Sequence, residues 1–279
     1  MMRVHLTPYL VVIFLQYDRQ KYPDSFEHFR SYMRGIDPSR VSYILVNNND
    51  EGVGTRKLDA NTTYLQGDNS DWEFSGWQRG VEFLRQNHIK HDVALLLNDS
   101  FEVNGPGYLS NHNIDWLVLK THIFKCVFGL LATRWTKAQI QDKPLRKWLG
   151  TDCFFVPGIL LDKLGTLVSV DQASIAEYLP ETFPGTDEVF LRTAPINAAY
   201  RESIVKWLTQ EWHSKFVLDQ STWSFFLAKV KAILNEALLY VRIRELGYLV
   251  LPYDIPLFIS AKIRGLVRKF RESLSRTTR

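Results

Sequence analysis

The chain has 279 residues, of which 46% are hydrophobic, 13% aromatic and 23% charged, a composition that excludes disordered, collagenous and low-complexity classes. Its net charge is +4, but residues 262–279 carry seven Lys/Arg against one Glu, so residues 1–261 carry −2, which excludes a uniformly basic nucleic-acid-binding body. Two cysteines, Cys126 and Cys153, exclude a disulfide framework and a C-x-x-C metal site, and both sit in apolar runs expected in the core of a protein from a reducing, cytoplasmic compartment.

Tyr9–Leu15 follows Arg3 as a leader's apolar region would, but it is short and lacks a small-residue cleavage site. It is expected to be a buried first strand, Leu10–Gln16. No apolar run approaches the length of a membrane span. Residues 23–34 place Phe26, Phe29, Tyr32 and Met33 at helical spacing. Val41–Val46 reads as the second strand and Thr62–Gln66 as a short third. Ser70 and Glu73 have capping-box form ahead of a helix whose apolar face is Phe74, Trp77, Val81 and Leu84. In that helix Gly76 and Gly80 would allow close approach to another backbone. Val93–Leu97 is the fourth strand, Cys126–Leu131 and Cys153–Val156 read as further strands, and residues 159–164 as a short helix. Residues 180–185 are loop-like. Beyond about residue 200 the pattern is helical, with Ser221 expected to cap a helix that runs to Leu246 and stops at Gly247.

Strands alternating with helices predict a parallel, right-handed βαβ arrangement, in which ligands bind beyond the carboxyl ends of the strands. The polar clusters at 16–19, 47–51, 67–73 and 98–100 would then converge on one rim.

Each cluster has a chemical and a plain reading. Asn98-Asp99-Ser100 can hold a divalent cation bridging two phosphates, or form an ordinary Asx turn. The helix start around Asn69 and Glu73 can bind a phosphate or sugar hydroxyl, or be a simple cap. Asp187-Glu188 can supply a general base, or complement the dipole of a first helical turn. The seven histidines form no metal motif, and no G-x-S-x-G, Walker or G-x-G-x-x-G pattern is present. Ile259, Ile263, Leu266, Val267, Phe270 and Leu274 trace one helical face opposite a basic one. That helix can lie in an anionic membrane interface, or dock on the body with its basic face in water. Its basic residues lack interleaved aromatics, so nucleic acid is not an expected partner.

Taken in order, these clusters resemble GT-A fold glycosyltransferases of the family-2 type. Tyr17-Asp18-Arg19 is similar to their Y-N-R, Val46-Asn47-Asn48 to V-D-N, Asn69 to N-x-G, and Leu97-Asn98-Asp99 to L-N-x-D. Gly150–Val156 looks like their S-G-A strand, and residues 187–192 like E-D-x-x-L-x-x-R. Asn69, Glu73, Phe74, Trp77 and Asn98-Asp99-Ser100 bear a narrower likeness to rhamnan-synthesis F-type proteins. The chain departs from the pattern at Asn47, where the family has Asp, at the single carboxylate of 98–100, and in the acidic order at 187–188.

The resemblance implies an α/β, GT-A-like, mostly parallel sheet flanked by helices: residues 1–215 would form the nucleotide-sugar-binding and catalytic domain, and 216–279 a C-terminal helical extension with a basic tail. It implies an inverting transfer from a nucleotide-diphosphate sugar to a cell-surface glycan or lipid-linked acceptor. Tyr17, Asn47, Asn48, Asn69, Glu73 and Asn98 would bind the nucleotide-sugar, and Asp99 would reach Mg²⁺ or Mn²⁺. Asp187 or Glu188 would be the base, and residues 257–279 would hold a cytoplasmic enzyme at an anionic membrane surface. The alternative is a non-catalytic glycan- or nucleotide-binding protein on the same fold.

Overall fold

The computed structural model describes residues 7–49, 54–101, 109, 112–132, 137–185, 190, 193–211 and 217–253. Strand β1 (Leu10–Gln16) is buried along its whole length, as a β-branched run covered on both faces must be. Helix α1 (Ser25–Tyr32) returns the chain to β2 (Val41–Asn47). β3 (Thr55–Lys57) and β4 (Thr62–Gln66) form a hairpin, followed by α2 (Glu73–Gln86) and β5 (Val93–Asn98). Then come α3 (Ile114–Phe124), β6 (Val127–Ala132), the small pair β7 (Gln139–Ile140) and β8 (Lys143–Pro144), and β9 (Trp148–Pro157). Helices α4 (Gly158–Leu164), α5 (Gln172–Tyr178), α6 (Ala198–Lys206) and α7 (Trp223–Glu245) lead to β10 (Val250–Leu251).

One eight-stranded sheet runs β10-β6-β9-β5-β1-β2-β4-β3. β1 pairs in parallel with β2 and β5, β2 with β4, and β6 with β10. This is the expected α/β class, a mostly parallel sheet between helices. β9 runs antiparallel to both β5 and β6, and β3 antiparallel to β4. The run Cys153–Val156 thus lies in the second half of a ten-residue antiparallel strand, a direction that its apolar composition does not encode.

The alternation of side chains along β1 divides the core. Val12 and Phe14 join Phe26, Phe29, Phe101 and Leu117 on one face, while Val11, Ile13 and Leu15 join Phe74, Trp77, Leu160 and Leu239 on the other. A third cluster, including Trp148, Tyr200, Trp223 and Phe226, lies around α6 and α7. On α2, Phe74, Val81 and Leu84 are essentially fully buried, each worth about 2 kcal/mol in transfer from water. A Cβ at Gly80 would lie 2.5 Å from Ile13 Cγ2 and one at Gly76 2.3 Å from Leu15 Cδ1. These two glycines set how closely α2 lies on β1.

Two capping expectations are corrected. α2 begins at Glu73 with Trp72 as its N-cap, and Ser70 Oγ donates to Asp68 Oδ1 (2.9 Å) instead of capping the helix. α7 begins at Trp223 behind Thr222, because Ser221 is held by Asp219 Oδ1 through its N–H (2.8 Å) and hydroxyl (2.6 Å). Gly247, at φ 80°, does stop that helix. From the stretch expected to be a C-terminal helical extension, α7 contributes Leu239 and Ile243 to the sheet's core, and β10 is an edge strand of the sheet. The basic amphipathic segment lies outside the described residues. Among the described residues no helix is long and apolar enough to cross a membrane.

Candidate functional site

The rim is built where β1, β2 and β5 end side by side, since Leu15 pairs with both Val46 and Asn98. Just beyond β5, Asp99 turns its carboxylate under the end of β1. Its Oδ2 accepts the backbone N–H groups of Tyr17 and Asp18, each at 2.7 Å, and its own N–H donates to Leu15 O at 2.9 Å. Asp99 is only 3% exposed. Burial pushes its carboxyl above the usual range even though the N–H groups of Asp18 and Tyr17 favour the charged form. One side chain thereby fixes the turn that carries Tyr17-Asp18-Arg19.

Beyond β2, Asn47 Oδ1 accepts the N–H of Asn49 at 2.9 Å, and Asn49 Nδ2 donates to Tyr17 O. Asn48 turns inward and is buried. Its Nδ2 donates to Trp72 O at 2.8 Å and to Asn69 Oδ1 at 3.4 Å. The loop it reaches has two residues in the left-handed φ region, Asn69 at 54° and Trp72 at 55°. Asn tolerates that region, whereas a bulky residue does so at about 1–3 kcal/mol, held by its surroundings.

Those surroundings come from the aromatic rings of the rim and from α7. The Trp72 ring stacks on Tyr17 (centroids 5.5 Å apart, planes 15° apart) and meets Phe225 edge-on at 5.6 Å. Lys229 Nζ lies 3.7 Å from the Trp72 ring centroid. Two residues on, Lys231 Nζ reaches Asp71 Oδ1 (2.8 Å), Ser70 O (2.6 Å) and Gln172 Oε1 (3.2 Å). Below this loop Glu73 Oε1 accepts the Thr151 hydroxyl at 3.3 Å. Burial raises the Glu73 carboxyl. It raises that of Glu236 well above the usual range, with Glu73 and Asp152 adding repulsion. Burial likewise lowers Lys229, against the pull of Glu73 and Glu236.

Tyr17, Asp18, Arg19, Gln20, Asn47 and Asn49 line an open cleft of about 660 Å³ at this rim. Of the residues expected to bind nucleotide-sugar, Tyr17 and Asn47 line it. Asn48 and Asn69 hold its wall to the Trp72 loop, Glu73 lies beneath that loop, and Asn98 Oδ1 accepts the Ser100 hydroxyl at 2.7 Å. Asp187 and Glu188 lie outside the described residues. Sequence reasoning missed Lys229, Lys231 and Glu236. They arrive from α7, some 160 residues along the chain from the loop that Lys231 holds, and no local motif marks them.

The described residues supply no ready-made protein cage for a divalent cation. Among them no three His, Cys, Asp or Glu side chains stand together for that purpose. Asp99, the expected ligand, is buried and gives one carboxylate oxygen to two N–H groups.

No protein-family model matches the chain, and no curated protein matches it significantly. Among solved structures it is similar to the mannosyltransferase PcManGT from Pyrobaculum calidifontis in complex with GDP-Man and Mn²⁺. That likeness has a TM-score of 0.32 at 10% identity and covers 97% of this chain and 84% of the other.

Proposed function

We propose that the chain is an inverting glycosyltransferase that moves a sugar from a nucleotide diphosphate to a cell-surface glycan or lipid-linked acceptor. One observation supports this most: the cleft lined by Tyr17, Asp18, Arg19, Gln20, Asn47 and Asn49 opens at the carboxyl ends of two adjacent parallel strands. That is where an open α/β sheet binds nucleotides, and the motif order of the sequence points to the same rim.

In this reading Tyr17 and Asn47 contact the nucleotide, and the exposed Arg19 pairs with the diphosphate, for which a guanidinium fork is suited. Asp99 and Asn48 keep the walls of the site in register. Asp187 or Glu188 removes the proton of the acceptor hydroxyl, whose oxygen attacks the anomeric carbon as the diphosphate departs from the opposite side. Residues 257–279 bring the acceptor close by resting on an anionic lipid surface.

Calorimetric titration with GDP and UDP, each with and without Mn²⁺, tests the donor assignment. Binding is expected, weakened by Tyr17→Ala and Arg19→Ala. If wild-type protein binds no common nucleoside diphosphate, the proposal fails. Asp187→Asn and Glu188→Gln test the base, and full turnover in both would exclude the pair. The engagement of Asp99 in holding a loop favours the second reading, a nucleotide- or glycan-binding protein without turnover. Donor transfer or hydrolysis by the purified protein separates the two.

A further inference from the structure

Tyr17 stands on the turn after β1 and lines the cleft, so the orientation of its ring decides what a planar ligand there can stack on. An aromatic side chain on a turn loses rotamer freedom when it stacks, and holding it in place beforehand improves affinity. Here the ring is held from behind. Trp72 stacks on it at 5.5 Å, and Lys229 Nζ sits 3.7 Å from the Trp72 centroid. Trp72 has a left-handed φ, and the loop around it is pinned. Asn48 Nδ2 donates to the Trp72 carbonyl, and Lys231 Nζ donates to Ser70 O and forms an ion pair with Asp71. The two lysines leave α7 two residues apart, and both act on the 70–72 loop.

We infer that Lys229 and Trp72 are positioning residues for base recognition: together they lock Tyr17 as a preformed stacking platform for the base of a nucleoside diphosphate. The inference rests on the proposed nucleotide site but assigns the platform to a helix that contributes no lining residue to the cleft. A desolvated ammonium over an indole ring attracts it more strongly than an exposed one does, and burial at this position also lowers Lys229 from its ordinary value. Lys229 therefore fixes Trp72 through the ring face as well as through packing.

The test measures the binding of GDP, UDP and inorganic pyrophosphate to the full chain and to four variants. Lys229→Met is expected to weaken the better nucleoside diphosphate about fivefold and Trp72→Leu about tenfold. Lys229→Arg, which keeps a cation over the indole, should stay near wild type. Pyrophosphate has no base, and its affinity should not change in any of the three. Tyr17→Ala should lose the base-dependent part of the affinity altogether. If Tyr17→Ala loses it while Lys229→Met and Trp72→Leu bind as wild type, the inference is overturned and the nucleotide site stands. If pyrophosphate and nucleotide weaken in equal proportion, the two residues merely support the fold and the positioning role is excluded. If the wild-type chain binds neither GDP nor UDP, both the inference and the function it rests on fall.

Discussion

The Asn48 carboxamide occupies the space over Gly67: a Cβ at that glycine would lie 2.0 Å from Asn48 Oδ1. The same oxygen would be 3.0 Å from a Cβ at Gly76. Two glycines, one on each side of the 68–75 segment, are thus the mould for one buried amide, which in turn holds the loop at Trp72. Gly67→Ala is expected to destabilise the protein by about 1–3 kcal/mol, as overpacking does. In the Asn48→Ala background the same substitution should cost much less, because the clashing oxygen is gone. Urea unfolding of the four members of the cycle measures this, and additive effects would contradict it.

Asp99→Ala removes the acceptor of two backbone N–H groups in a part-buried setting. Each orphaned donor costs about 1–3 kcal/mol, so a clear fall in melting temperature is expected. Asp99→Asn keeps one acceptor oxygen and should lose less. Thermal melts order the three proteins, and equal stability of the alanine variant and the wild type would refute the clamp.

Lys231 and Asp71 form an ion pair with side chains only 4% and 12% exposed. Removing one partner of such a pair strands the other charge, and Lys231→Met is expected to cost about 3–5 kcal/mol. Adding Asp71→Leu should recover much of that loss. A double variant no more stable than Lys231→Met would show that the pairing is not what the single change removed.

Glu236 supplies a pH signature. Its carboxyl is raised well above 4.5 by burial, then by Glu73 and Asp152. The folded chain therefore holds a proton there that the unfolded chain releases near 4.5. The stability this group contributes is complete below that pH and is lost as pH rises through the folded value. Glu236→Gln, neutral at every pH, should match the wild type near pH 4 and melt at progressively higher temperature than the wild type as pH rises above the range of an ordinary glutamate. A gain independent of pH would rule out this titration as the cause.

The sheet and its rim were legible because β1, β2, β4 and β5 are short apolar runs ended by polar clusters, a pattern that buried parallel strands impose on sequence. Direction was not legible: the same apolar character suits β9, which runs antiparallel. α3 went unread because its apolar residues do not fall on one face, with Lys120 and Thr121 buried alongside Leu117 and Val118. At the site, Tyr17, Asn47 and Asp99 stood out as polar residues at strand ends. The inward turn of Asn48 depends on Gly67 and Gly76, and the strain at Trp72 is held by Lys231. Those are tertiary facts, and a sequence records them only as ordinary glycines and lysines in helical spacing.

β3 also governs what the sheet can do beyond one chain. The outer edge of a β-sheet is a template on which another strand can add. Here that edge is three exposed residues long. Its Arg56 guanidinium folds back to 4.7 Å from the Tyr64 ring centroid, and Lys57 Nζ donates to Thr63 Oγ1 at 3.3 Å. A second copy approaching edge to edge would meet two positive charges with two of its own, so growth by strand addition is opposed at the side where the hairpin leaves it open.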